Sequence, residues 1–572
     1  MNTSTISIPK DRLSLLLSKM REAQKTTPPI PQIPKESTIL ITKEDISPLK
    51  ESLSQTTDKY GNAITYNTKQ QEFISLALSG RSCVLIGAAG TGKTTVQKGV
   101  TSGLISSGRA GTLQSEGHKH LSSDTPGIVI CAYTRRAVNN IRKNVSLDMQ
   151  TNCITIHKLL EYAPVYNDIW SDEKGEYVTK MSFEPTRNAN NPLPSSIRTL
   201  IFEESSMIGL DLYREVIAAL PHNPQLIFLG DIQQLPPVFG PAVLGFKLSS
   251  LPTVELTEVY RQALESPIIR LAHRILSAKP ISSSELSDWK VPNQLTLHPW
   301  KKKIDHYNAL KTASLFFRSS YDAGLYDPEE DIILIPFNKA FGTDDLNKEI
   351  AGHLAKKRGA IVHQVVAGFN KHHFSIGDKV LYDKEDAIIT DIVPNPIYQG
   401  AVYAPASPTL NYYGHEEDPN NAVRSDDNVD FLLSQVAKSE ESGDRVRVAS
   451  HTITLKMQDS DQVVKIDKAA DINAMILGYA LTVHKSQGSE WRKVFICFHQ
   501  SHNTMIQREL LYTAITRARE ELYVICEPDT FIKGIEGQRV KGNTLQEKAE
   551  FFKGKVDSNT SYAWVTEGDS PK

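Results

Sequence analysis

Gly87-Ala88-Ala89-Gly90-Thr91-Gly92-Lys93-Thr94 fits the pattern G-x-x-x-x-G-K-[ST] and constrains the fold of this chain more than any other stretch. Ahead of it lies the apolar run Cys83-Val84-Leu85-Ile86, and after it Thr95-Val96-Gln97-Lys98-Gly99-Val100 reads as the opening of a helix. A strand, a glycine-rich turn and a helix N-terminus in that order make a cradle of backbone N–H groups suited to phosphate. The glycines permit the tight turn and the close approach of backbone to ligand. In such a cradle Lys93 reaches the β- and γ-phosphates and the Thr94 hydroxyl binds Mg²⁺, so the loop from Gly87 through Thr95 is expected to bind ATP or GTP.

A chain of 572 residues is too long for one core. Its 40% apolar and 23% charged residues are ordinary for a globular protein. The five cysteines are scattered without a CxxC pair, which excludes the usual zinc and iron–sulfur patterns and fits buried free thiols. The net charge of −2 means that any surface for a polyanion is a local track. No secretory h-region or membrane-length apolar run appears, so a cytoplasmic or otherwise intracellular protein without a membrane is expected.

Residues 1–60 read as a flexible arm with a Pro-rich stretch and one amphipathic helix over 11–22. Apolar runs separated by helical stretches follow: Val84–Ile86, Ile128–Cys131, Leu200–Phe202 and Leu226–Leu229, then Ile332–Ile335, Met475–Ala480, Val494–Phe498 and Leu522–Cys526. This alternation predicts two doubly wound parallel sheets. The expected layout is a first α/β domain over 61–250, with a β-hairpin insertion at 161–196. A second domain is expected over 251–385 and 471–530, with a β-rich insertion at 386–470 and a tail over 531–572. The tail is expected to cover the second domain or to trail in solvent.

Leu200-Ile201-Phe202-Glu203-Glu204 is an apolar strand ending in two carboxylates, and the C-terminal edge of a parallel sheet faces the ligand crevice. One carboxylate suits Mg²⁺, the next an attacking water. Leu226–Gly230 is a second such strand, followed by Asp231-Ile232-Gln233-Gln234-Leu235-Pro236-Pro237. A glutamine there can bond a γ-phosphate and a neighbouring segment, which makes it a sensor of nucleotide state.

The order of these segments resembles superfamily 1 helicases, in particular the RecD-like and phage Dda-like branch. Tyr66–Gln70 resembles the glutamine motif of that family. Gly87–Thr94 resembles its motif I, Ala132–Ala137 motif Ia, and Thr155–Leu160 the T-I-H segment. Glu203–Met207 and Gly230–Val238 resemble motifs II and III, and Leu256–Gln262 motif IV. Ala480–Trp491 resembles motif V and Leu511–Arg519 motif VI. One departure is Glu203, where the family usually has Asp.

The resemblance implies two RecA-like domains with ATP and Mg²⁺ between them. Gln70 and the loop Gly87, Ala88, Ala89, Gly90, Thr91, Gly92, Lys93, Thr94 and Thr95 would bind nucleotide, joined by Gly488 and Glu490. Thr94 and Glu203 would hold the metal. Lys93, Glu204, Gln234, Arg261 and Arg517 would be catalytic, the two arginines acting as fingers from the second domain. Tyr133, Thr134, His157, Phe239, Thr482 and His484 would contact a single strand of nucleic acid. The implied activity is ATP-dependent unwinding of DNA with 5′→3′ movement, the 161–196 hairpin acting as the pin and the 386–470 insertion as an SH3-like domain. The implied partners are single-stranded and forked duplex DNA, together with replication or recombination proteins through the N-terminal arm. A monomer is expected. A nucleic-acid-stimulated ATPase without unwinding, and an RNA helicase, remain as alternatives, since phosphate contacts tolerate either sugar.

Overall fold

The computed structural model describes residues 64–566, apart from 172–175, 238–239, 260–264, 278, 280–281, 283–284, 286–290, 292–293, 300–305, 339–340, 369, 383–384, 397, 399–447, 459–461 and 560–561. The expected arm at 1–60 and its helix lie outside these residues, as does the part of the expected β insertion over 399–447.

The first lobe is built on a six-stranded parallel sheet. Its order across the sheet is Thr253–Leu256, Cys83–Gly87, Gln225–Gly230, Thr199–Phe202, Ile128–Ala132 and Cys153–Thr155. The central strands are wholly buried, which explains why they read as unbroken apolar runs rather than alternating ones. Alternate residues feed two cores. Val84, Ile86, Val129, Leu200 and Phe228 face one side, and Cys83, Leu85, Ile130, Ile201 and Leu229 face the other. The strand Thr253–Leu256 pairs with Cys83–Gly87, so this domain runs past the expected boundary at 250. Strand pairing, which spacing does not reveal, sets the limit.

The second lobe carries a five-stranded sheet, in the order Leu295–Pro299, Ala518–Cys526, Trp491–Cys497, Ile332–Ile335 and Ala480–Thr482, all parallel. The run expected as one strand over 475–480 is divided. Ile476–Leu477 joins an antiparallel sheet with Lys379–Tyr382, and Ala480–Thr482 joins the parallel sheet. The switch falls at Gly478 and Tyr479. The Tyr479 hydroxyl donates to Asp378 and accepts from the Lys379 N–H, fixing the change of direction.

The β insertion starts earlier than 386. A hairpin, Val362–Ala367 with Asn370–Ser375, precedes an antiparallel sheet of Lys379–Tyr382, Glu385–Pro394, Val448–Met457, Val463–Lys468 and Ile476–Leu477. The hairpin in the first lobe pairs Tyr162–Ser171 with Glu176–Pro185 in continuous register. It is shorter than the expected 161–196, because its pairing ends at Pro185 and Leu193 belongs to the first-lobe core.

The C-terminal segment departs most from expectation. Pro528–Glu536 packs on the second lobe through Phe531 and Ile535. The chain then crosses back, and Val540, Phe552 and Val565 join the core of the first lobe. Phe552 fills the space over Gly245, where a Cβ would lie 2.2 Å from its ring. Lys247, fully buried, donates to the Val565 carbonyl at 2.8 Å and lies 5.1 Å from the Tyr213 ring centroid. The tail neither covers only the second domain nor trails in solvent, since three apolar anchors hold it on the first.

Candidate nucleotide site between two lobes

The glycine-rich loop follows the strand Cys83–Gly87 and ends in the helix Lys93–Ser106. Gly90 and Gly92 take φ of 80° and 86°, the left-handed region that a side chain resists. Gly87 has a second constraint, because a Cβ there would lie 2.4 Å from Thr91 Oγ1. Thr91 Oγ1 donates to the Ala88 carbonyl at 2.8 Å, and Lys93 Nζ donates to the Gly87 carbonyl at 2.7 Å. The Lys93 ammonium is thereby stored against its own loop. Thr94 is exposed and Thr95 half-buried at the start of the helix. Gln70 comes from the helix Thr68–Leu78, which opens with a reciprocal cap between Asn67 and Gln70. Its side chain is fully buried and donates to the Thr91 carbonyl at 3.4 Å. Gln70, the loop and Lys93 thus stand together.

The two carboxylates follow the strand Thr199–Phe202. The Glu203 N–H continues the sheet by donating to the Cys131 carbonyl at 2.9 Å. Burial, and then the neighbouring Glu204, push the Glu203 carboxyl up to about 8, while Lys93 acts in the opposite direction. Glu204 sits at φ 48°, and its Oε2 is buried without a hydrogen-bond partner among the described residues. A non-glycine residue held in this region, with an unpaired buried oxygen, marks a site whose strain is maintained by its surroundings. A buried carboxyl near Lys93, an orphaned carboxylate oxygen and an exposed threonine hydroxyl fit Mg²⁺ held with a polyphosphate. The longer Glu203 side chain therefore does not remove the donor set.

The second lobe closes on this loop. Ala88 and Ala89 pack against its core, beside Leu235. The Ala89 N–H donates to Tyr512 Oη at 2.7 Å, and His273 Nε2 lies 3.3 Å from the Ala89 carbonyl. The Leu235 N–H donates to Thr513 Oγ1 at 2.9 Å, and Gln487 Nε2 donates to the Leu235 carbonyl at 2.8 Å. Between these bonds Gln234 is buried, with its Oε1 unpartnered among the described residues. Arg517 is buried and donates to the carbonyls of Thr513 and Ser489, each at 3.0 Å, and to Thr516 Oγ1 at 3.2 Å. Its hydrogen bonds thus stay within the second lobe. Arg261 lies outside the described residues.

The expected nucleic-acid residues fall into separate groups. Tyr133, His157 and Tyr162 form an edge-to-face row, with ring centroids 5.6 and 5.1 Å apart, and the Tyr162 hydroxyl bonds Glu215. Thr134 caps the helix Arg135–Arg142 by accepting from the Ala137 N–H at 3.2 Å. Thr482 and His484 are buried in the second lobe, and Thr482 Oγ1 accepts from the Lys485 N–H. Phe239 lies outside the described residues. Gly488, expected at the nucleotide, faces Thr134 and Ala137 instead, and its carbonyl accepts from Asn140 Nδ2 at 2.8 Å. Glu490 is exposed. Arg136 extends the same inter-lobe contact by pairing with Asp386 and lying over the Trp491 ring.

The sequence alone assigns no role to Asp231, Tyr512 or His273. Asp231 and Tyr512 lie inside recognised segments, but no local spacing signals their contact, because they are 281 residues apart.

The family model described as AAA domain matches residues 70–240, and that of the UvrD-like helicase C-terminal domain matches residues 477–525. The ATP-dependent RecD2 DNA helicase of Deinococcus radiodurans is 28% identical over 444 residues. That alignment covers 77% of this chain and 46% of the relative, so the chain spans less than half the length of that protein. The RecBCD enzyme subunit RecD of Buchnera aphidicola is 20% identical over 485 residues, covering 82% of this chain and 74% of that protein. Among solved structures, Bacteroides Pif1 bound to single-stranded DNA matches with a TM-score of 0.42 and 16% identity, covering 88% of this chain and 98% of that one.

Proposed function

We propose that this chain, a RecD-like member of helicase superfamily 1, is a DNA helicase that hydrolyses ATP between its two lobes. One observation carries the reading: the tip of the phosphate loop, Ala88 and Ala89, rests on the core of the second lobe. A triphosphate bound by that loop lies within reach of both bodies, so its hydrolysis is coupled to their relative motion.

The residues divide the work. Gln70 orients the loop and the base edge of the nucleotide. Lys93 exchanges its carbonyl partners for phosphate oxygens. Thr94 and Glu203 hold Mg²⁺, which neutralises charge on the phosphates when bound. Glu204, with its unpaired buried oxygen, orients the water and accepts its proton. Gln234 bonds the γ-phosphate, and Arg261 and Arg517 stabilise the charge that spreads over its oxygens. For Arg517 this requires release from the Thr513 and Ser489 carbonyls, a rearrangement that closure on a nucleotide would drive.

Tyr133, Thr134 and His157 on one lobe and Thr482 and His484 on the other hold the strand in this reading, and movement is 5′→3′, the polarity that the resemblance to the RecD-like branch implies. Strand displacement on 5′- and 3′-tailed duplexes tests it. Unwinding of the 5′-tailed substrate is expected, and its loss in Lys93→Ala. Unwinding that persists in Lys93→Ala would reject the reading, and stimulation of ATPase by poly-U but not poly-dT would assign the substrate to RNA.

A further inference from the structure

Tyr512 lies on the helix Arg508–Ile515 of the second lobe, and its side chain is fully buried. Its hydroxyl accepts the Ala89 N–H at 2.7 Å and donates to Asp231 Oδ2 at 2.6 Å. Burial and the adjacent Asp231 hold the phenol well above its usual range, which keeps the proton that makes it a donor. Asp231 is itself fully buried and shapes the turn that follows it. Its Oδ1 accepts the Gln233 N–H at 2.9 Å, and its carbonyl accepts the Gln234 N–H at 3.1 Å. One phenol oxygen therefore joins three segments: the phosphate loop, the turn carrying Gln234 and the helix leading to Arg517.

We propose that Tyr512 is a positioning residue that sets Gln234 through Asp231 and does so only with the lobes closed, because it arrives from the opposite lobe. The proposal rests on the nucleotide reading above. Gln234 Oε1 is buried and unpartnered, so its placement depends on the backbone turn rather than on a bond of its own. Opening the cleft withdraws the phenol from both Ala89 and Asp231. The Gln234 turn is then free to relax, which disarms the sensor.

Tyr512→Phe keeps the ring and removes the bonds. The expected result is a fall of about tenfold or more in kcat for ATP hydrolysis with poly-dT, while the Kd of a fluorescent ATP analogue stays within about twofold. Asp231→Asn added to Tyr512→Phe removes the charge left without a partner. It is expected to recover the melting temperature and leave kcat low. An unchanged kcat in Tyr512→Phe overturns the proposal, and so does a kcat that returns together with the melting temperature, since that is a purely structural role. Lys93→Ala, run in parallel, separates the two levels: hydrolysis that survives it sinks the nucleotide reading, whereas hydrolysis lost in Lys93→Ala but normal in Tyr512→Phe sinks only the role of Tyr512.

Discussion

Gly488 in the second lobe stands against Thr134 in the first so closely that a Cβ on it would lie 2.9 Å from Thr134 Oγ1. Its φ of 77° adds a second reason for glycine. The two segments that resemble motifs V and Ia are thus one packed seam, completed by Asn140 and by Arg136 over Trp491.

Gly488→Ala forces both a strained backbone and a clash at this seam. The expected loss is about 1–3 kcal/mol of unfolding free energy, from urea melts of the two proteins. An unchanged midpoint would mean that the lobes do not meet there in solution.

Phe552 anchors the returning tail over Gly245 and lies 5.2 Å from the ring of Phe246. Phe552→Ala is expected to cost about 3–5 kcal/mol. Gly245→Ala leaves the ring no room, so it should release the tail to protease at Lys541, Lys553 and Lys555. The two changes act on one contact, and their combined cost should fall short of the sum. Additive costs would place the tail elsewhere.

Arg187 and Glu161 close the base of the first-lobe hairpin with a 2.8 Å bond between buried groups. Glu161 immediately precedes one leg and Arg187 follows the other. Breaking a buried pair from one side typically costs about 3–5 kcal/mol, so Arg187→Met should loosen the hairpin's attachment. If that hairpin splits duplex, strand displacement falls severalfold while ATPase with poly-dT stays within about twofold. A parallel fall of both rates would remove the hairpin from the unwinding step.

His502 is buried and neutral. Its Nε2 lies 3.0 Å from the Phe341 carbonyl, and its Nδ1 accepts the His499 N–H at 3.2 Å, so a second proton has no place to go. Burial lowers its pKa from 6.5 to about 4. The unfolded chain therefore binds more protons between these values, and stability falls as pH drops through that window. The full loss, reached below pH 4, is about 3 kcal/mol. His502→Gln should remove this part of the slope between pH 7 and 5, and an identical slope in both proteins would contradict the assignment.

The parts legible in the sequence are those whose determinants are contiguous. Cys83–Gly87 and its loop combine a doubly buried strand with a glycine pattern, and Leu200–Glu204 and Leu226–Asp231 follow the same logic. Thr253–Leu256 escaped because a short strand is assigned by its neighbour rather than by its composition. The place of the tail is not legible locally, because its anchors pair residues such as Lys247 and Val565, 318 positions apart. Leu235 and Thr513, 278 apart, show why the inter-lobe half of the site was equally hidden. Identity of residue types within a motif does not reveal which hydroxyl crosses a cleft.

Among the described residues the chain passes between the lobes twice, once after Leu256 and once on the stretch from Gly537 to Val540, where Glu509 accepts the Arg539 and Val540 N–H groups. Two bodies joined at two separate points keep one easy freedom, a swing about the line through those joints. Sliding and independent twisting are restrained by these two connections in addition to the packed seam at Gly488 and Thr134. The returning tail thus acts like the second hinge of a door: it narrows many conceivable displacements to one repeatable arc.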